Sequence, residues 1–142
     1  MRNDLRYTAS DCFETFPFPR GLDSLEDIGE RLYTTRAAYM LDTDQGLTKT
    51  YNALKDPTCD DPRILDLRAL HLEMDRAVLS AYGWSDIEVP PYPDATTLEE
   101  EAVDQAFEDE VLDRLFTLNA ERATEEQILG KRATELRLAR TT

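Results

Sequence analysis

Asp61-Pro62-Arg63-Ile64-Leu65-Asp66-Leu67-Arg68-Ala69-Leu70-His71-Leu72-Glu73-Met74-Asp75-Arg76-Ala77-Val78-Leu79-Ser80-Ala81-Tyr82-Gly83 is written as a helix at both ends and along its length. Asp60 or Asp61 can cap it, and Pro62 in the first turn has no donor to lose. Ile64, Leu67, Leu70, His71, Met74, Ala77, Val78 and Ala81 then follow a three-and-four rhythm, and Gly83 can close the helix in a left-handed conformation. The stretch predicts a helix over 61–82. With five glycines, seven prolines and abundant Leu, Ala, Glu and Arg around it, the chain is expected to be all-α.

Before this element, Leu47, Tyr51 and Leu54 share one face of a short helix over about 47–54, which Asp56-Pro57 ends. Before that, Leu25, Ile28, Leu32, Ala37 and Met40 or Leu41 predict a helix over about 24–41. Ser24 and Asp27 form a capping-box-like start, and Asp42-Thr43-Asp44-Gln45-Gly46 breaks the pattern. After Gly83, Pro90, Pro91 and Pro93 exclude a helix and predict a strap over the surface. From Thr96 or Thr97, an apolar face runs through Leu98, Ala102, Val103, Phe107, Val111, Leu112, Leu115, Phe116 and Leu118. It predicts a helix over about 97–121, then a break near Thr124 and a last helix over about 125–140, interrupted at Gly130. A helical bundle or helical hairpin is the expected architecture for residues 23–142.

Residues 1–22 read differently. Cys12-Phe13-Glu14-Thr15-Phe16-Pro17-Phe18-Pro19 sets three aromatic rings among prolines that hold the chain extended, so the segment is expected to lie across other protein as a docking seam. Two cysteines with no export signal are expected to be reduced, and no CxxC or His/Cys cluster suggests a metal site. The net charge is -14, and such a surface repels phosphate, so tight unaided DNA binding is not expected. No run of about 18 apolar residues predicts a membrane span, and the cytoplasm is the expected compartment.

The run Tyr7-Thr8-Ala9-Ser10-Asp11-Cys12-Phe13-Glu14-Thr15-Phe16-Pro17-Phe18-Pro19, then Gly46-Leu47-Thr48-Lys49-Thr50-Tyr51-Asn52, Leu67-Arg68-Ala69-Leu70-His71, Met74-Asp75-Arg76-Ala77-Val78 and Ala81-Tyr82-Gly83-Trp84, resembles the C-terminal end of large single-chain bacterial restriction–modification enzymes and adenine-N6 DNA methyltransferases. The resemblance covers roughly residues 6 to 85, and more loosely 111–122. It implies a helical tail behind catalytic and target-recognition domains, with S-adenosylmethionine held elsewhere in the parent enzyme. Those two domains are then the expected partners, DNA being met weakly or through the parent. A homodimer is also expected to be open to an apolar surface parted from its parent.

No catalytic constellation can be nominated, and the chain is expected not to be an enzyme. Pro90-Pro91-Tyr92 imitates part of the Asn/Asp-Pro-Pro-aromatic loop that grips an adenine amino group, but Val89 stands where the acceptor is needed. Gly46 to Thr50 lacks the glycine spacing of a phosphate loop. His71 is the only histidine, with Asp75 four residues on as its one candidate partner, and it reads as an interface residue. The acids from Glu99 to Glu110 read as a solvated helix face. Phe13, Phe16, Phe18, Tyr82 and Trp84 are the candidate domain-docking residues. Lys49, Lys131, Arg132, Arg137 and Arg140 are candidate contacts to a DNA backbone. The alternative is a stand-alone acidic module that binds basic proteins as a mimic of DNA.

Overall fold

The computed structural model describes residues 16–141, and among them the protein is all-α, with four helices and no strand. A 3-10 turn over Leu22–Leu25 leads into α1 (Glu26–Thr43), followed by α2 (Leu47–Lys55), α3 (Pro62–Tyr82) and α4 (Leu98–Thr141). By internal contacts the chain forms two units: Pro19–Asp109, and a second whose described residues are 16–18 and 110–141.

In the first unit α3 is the central element. Its start is fixed by Asp61, whose carboxylate accepts the Arg63 N–H at 3.0 Å, with Pro62 as first residue. At its end Gly83 has φ 78°, and the Trp84 N–H returns to the Leu79 carbonyl at 2.9 Å. A side chain at position 83 would strain this left-handed closure. Gly29 of α1 meets Met74, Arg31 pairs with Glu73 at 2.6 Å, and Tyr39 lies under the Arg63 guanidinium, so α1 and α3 run antiparallel. The absence of a Cβ at Gly29 leaves room for the Met74 methyl, 3.7 Å from where a Cβ would stand.

Tyr39, Leu54, Ile64 and Leu67 form the core, and Leu32, Tyr51, Ala53, Cys59 and Tyr92 pack against it. Burying Ile64 and Leu67 completely contributes about 1.5 to 3 kcal/mol each. The α1 stripe differs from its reading in one place: Tyr39 is buried, Met40 is half-buried and Leu41 is exposed. The capping box is not formed either. The 3-10 turn occupies Ser24, α1 starts after Leu25 without a side-chain cap, and Asp27 turns to Arg31 at 3.2 Å.

The strap expected after Gly83 is irregular from Trp84 to Thr96. Val89 is buried, and the Asp94 N–H reaches the Lys55 carbonyl at 2.8 Å, which ties the strap to the end of α2. Thr97 caps α4 by accepting the Glu100 N–H, and the Glu100 carboxylate accepts from the Thr96 N–H at 2.7 Å and its hydroxyl at 2.9 Å. These bonds favour the charged form and hold the Glu100 carboxyl below its ordinary pKa.

The break expected between 121 and 125 is not there: α4 is one helix of 44 residues. The Thr124 hydroxyl donates to the Ala120 carbonyl at 3.1 Å, and Thr134 does the same to Gly130 at 3.0 Å, so both are spent inside the helix and cap nothing. Gly130 costs only about 1 kcal/mol relative to alanine, too little to interrupt a long helix.

Candidate functional site

Residues from two of the quoted runs, 46–52 and 67–71, meet at the junction of α2 and α3. The Arg68 guanidinium donates to four main-chain carbonyls: Asp56 at 2.6 Å, Leu54 at 2.9 Å, Cys59 at 3.1 Å and Ala53 at 3.2 Å. Ala53 and Leu54 belong to the last turn of α2, whose carbonyls have no partner within that helix. One cation therefore closes α2 and fixes the turn into α3. Thr50 is fully buried and returns its hydroxyl to the Gly46 carbonyl at 3.0 Å, and Leu54 is fully buried beside it.

His71 lies between two tyrosines. Its ring centroid is 5.9 Å from that of Tyr51, edge on, and 4.6 Å from that of Tyr92. Arg36 donates to the Tyr51 hydroxyl at 2.9 Å. The imidazole Nε2 is buried with no hydrogen-bond partner, so Asp75 does not meet it there. Burial first, and the Arg36 charge second, push the His71 pKa down and favour the neutral ring. An imidazole held between two rings, with a covered nitrogen, joins α2, α3 and the strap as a packing element.

Asp75 is exposed and lines a shallow cleft of about 220 Å³ together with Val89, Pro90, Tyr92 and Phe107. Partial desolvation there raises its pKa, and the Tyr92 hydroxyl is raised by its own burial first and by Tyr51 next. Pro90, Pro91 and Tyr92 thus belong to a wall against α3. Among the described residues, no group of three or more His, Cys, Asp or Glu side chains could hold a metal ion.

Tyr82 and Trp84, taken from the sequence as docking residues, stack on each other with centroids 4.5 Å apart and planes at 12°. Gly83 between them lets the chain reverse so that the two rings face. Phe16 and Phe18, in the second unit, are 46% and 40% exposed, with ring centroids 4.9 Å apart. The segment is not fully extended as expected, for the Phe18 N–H turns back to the Phe16 carbonyl at 3.0 Å. Pro17 is buried, and the Arg122 guanidinium donates to the Phe18 carbonyl. Phe13 lies outside the described residues.

Lys49 stands exposed on α2, and Lys131, Arg132, Arg137 and Arg140 are exposed along the last turns of α4. Lys49 belongs to the unit Pro19–Asp109, and the four α4 cations belong to the other. Arg68 is the residue whose role the sequence did not reveal. Its partners are carbonyls set by the α2–α3 connection, and only the shortness of that connection, with an Asp-Pro stop, hinted that they needed a donor. No described helix is long and apolar enough to cross a membrane. No protein-family model, no curated protein and no solved structure matches the chain.

Proposed function

We propose that this chain is a noncatalytic C-terminal helical module of a DNA restriction–modification adenine-N6 methyltransferase, bracing the target-recognition region against the catalytic domain. The observation that carries the reading is the convergence of its motif residues. Tyr51 from one motif, and Leu67, Arg68 and His71 from another, pack or hydrogen-bond within one small framework of α2 and α3. Residues spent on holding helices together suit a brace, whose product is a fixed distance and angle. A recognition loop displaced by a small distance loses its base contacts, so such rigidity serves target selection.

The half-exposed pair Phe16 and Phe18 supplies the docking edge, with large apolar area at little entropic cost. S-adenosylmethionine and the adenine belong to the catalytic domain of the parent. Lys131, Arg132, Arg137 and Arg140 give the end of α4 a positive charge suited to DNA phosphate once the parent has bound its site.

The test is affinity capture of a family enzyme shortened to its catalytic and recognition domains, using this chain as bait. Binding is expected, with a loss of at least about tenfold when Phe16 and Phe18 are both changed to Ser and helicity is kept. Unchanged binding rejects the docking edge, and no binding at all rejects the brace.

A second reading is favoured by the first turns of α4. Eight carboxylates lie between Glu99 and Asp113 with no basic residue among them, so the chain can present an acidic rod to basic DNA-handling proteins as a mimic of DNA. Binding that collapses between about 50 and 200 mM salt, and survives the aromatic changes, would favour this alternative.

A further inference from the structure

The strap between α3 and α4 is held at its two ends. At the first, the Trp84 N–H donates to the Leu79 carbonyl at 2.9 Å and the Ile87 N–H to the Trp84 carbonyl at 3.1 Å; at the second, the Asp94 N–H donates to the Lys55 carbonyl at 2.8 Å. Between them Pro90, Pro91 and Pro93 have no N–H to give, and among the described residues no N–H from 88 to 93 donates to a main-chain carbonyl. Side chains hold this middle stretch: Val89 is buried, and the Tyr92 ring lies against His71 with centroids 4.6 Å apart. A segment with so few hydrogen bonds opens more readily than the helix beneath it.

The histidine under the strap is badly placed to carry a charge. Its Nε2 is buried with no protein group within hydrogen-bond reach. From α1 it is faced by Arg36, which is fixed by its bond to the Tyr51 hydroxyl at 2.9 Å, and from α2 by the Tyr51 ring, edge on at 5.9 Å. On α3 itself Arg68 stands one turn before it and Asp75 one turn after, and the strap brings Tyr92, with Asp94 two residues on. Arg68 is engaged with four carbonyls, and Asp75 does not meet Nε2. A proton added to the ring would make Nε2 a charged donor without an acceptor, beside a second cation. Aromatic rings attract a cation, but more weakly than a buried charged donor without an acceptor is penalised.

We propose that the strap is an acid-released clasp: protonation of His71 lifts Tyr92, and with it residues 88–95, off α3 while α1, α2 and α3 stay folded together. Once the Tyr92 ring leaves, water reaches Nε2, and Asp75, four residues on along the same face of α3, offers the imidazolium a carboxylate. Burial first and Arg36 second hold the His71 pKa below its ordinary 6.5 in the closed form, whereas the open form takes up the proton near that value. Each unit of pH below about 6.5 therefore favours the open form by up to about tenfold, until the closed form is protonated as well. Asp75 bounds the window from below. Desolvation raises its pKa in the closed form, so its own protonation favours closure and removes the partner of the imidazolium. Opening uncovers Tyr51 and breaks the tie between Asp94 and Lys55, which frees the start of α4 from the end of α2. The clasp lies wholly within Pro19–Asp109 and needs no partner.

Hydrogen exchange of the Asp94 amide, followed by NMR on the 142-residue chain at about pH 7 and pH 5 and corrected for the intrinsic rate at each, tests it. Protection at Asp94 should fall at least about fivefold between the two, while the Leu67 and Leu70 amides of α3 keep theirs. His71→Phe keeps a ring between the two tyrosines and takes up no proton, so its Asp94 protection should be the same at both pH values. Should that variant not fold, the native chain decides: the His71 Cε1 proton should titrate with the same midpoint as the loss of Asp94 protection. Asp94 protection that is equal at both pH values, that falls together with α3, that falls as far in His71→Phe, or whose midpoint departs from that of His71 would each overturn the proposal.

Discussion

The 21 residues of α3 bury Ile64, Leu67 and Leu79, whereas the 44 residues of α4 bury none. Both helices repeat apolar side chains at spacings of three and four. In α3 that rhythm is enclosed by α1, α2 and the strap; in α4 Phe107, Val111, Leu115 and Leu118 are half-buried, while Leu98, Leu112 and Phe116 are exposed. An apolar stripe therefore records what a helix is prepared to bury, and the chain must still supply the cover. For α3 it supplies most of it within Pro19–Asp109.

Four changes would break or sharpen this contrast. Ile64→Ala should cost about 3 kcal/mol in urea unfolding because it opens a cavity at a fully buried site, whereas Leu129→Ala on α4 should stay within about 0.5 kcal/mol. Equal costs would mean that α4 is as enclosed as α3. Arg68→Met should lose about 2 kcal/mol, since a stem of similar length remains while four carbonyls lose their donor; Lys49→Met on the exposed face of α2 should change little. A neutral Arg68→Met would deny it the role of closing α2.

The two glycines should respond with opposite signs. Gly83→Ala should destabilise by about 1 kcal/mol, because its left-handed conformation strains any side chain, and Gly130→Ala should raise the helicity of α4 by removing a helix-weakening residue from open space. Thermal unfolding followed by circular dichroism reads both. The smallest expected effect is on pH dependence. With the folded His71 pKa held below its ordinary 6.5, the unfolded chain takes up a proton that the folded chain refuses, and stability falls as pH drops through about 6.5 toward the folded value. Asp75 opposes this at lower pH. Its raised pKa lets the folded form protonate first, while Asp56, Asp61 and Glu100, held low by hydrogen bonds, lose their contribution as they protonate. His71→Phe should flatten the slope between about pH 7 and 5, and an unchanged slope would place the histidine in open solvent.

The helices themselves were legible because their punctuation is local. Asp61-Pro62, Gly83 and Thr97 each act within one turn and stand where the pattern placed them, whereas the loop expected over Asp42–Gly46 begins only at Asp44, because α1 runs on to Thr43. The start of α1 and the continuity of α4 were not, because Ser24, Asp27 and Thr124 offer side chains that can cap or do something else, and each found another use. The framework at Arg68 and the sandwich at His71 depend on residues 9 to 21 positions apart in the chain, and periodicity has no means of pairing them. The mutual stacking of Tyr82 and Trp84 was half legible, as a glycine between two rings.

The most direct measurement is complementation. An adenine-N6 methyltransferase of the resembling family, cut back to its catalytic and recognition domains, is assayed for DNA methylation with and without this chain. The brace reading predicts that the chain alone transfers no methyl group and that adding it restores target-specific methylation to the shortened enzyme. Methyl transfer by the chain alone, or a shortened enzyme that gains nothing from it, would contradict the account.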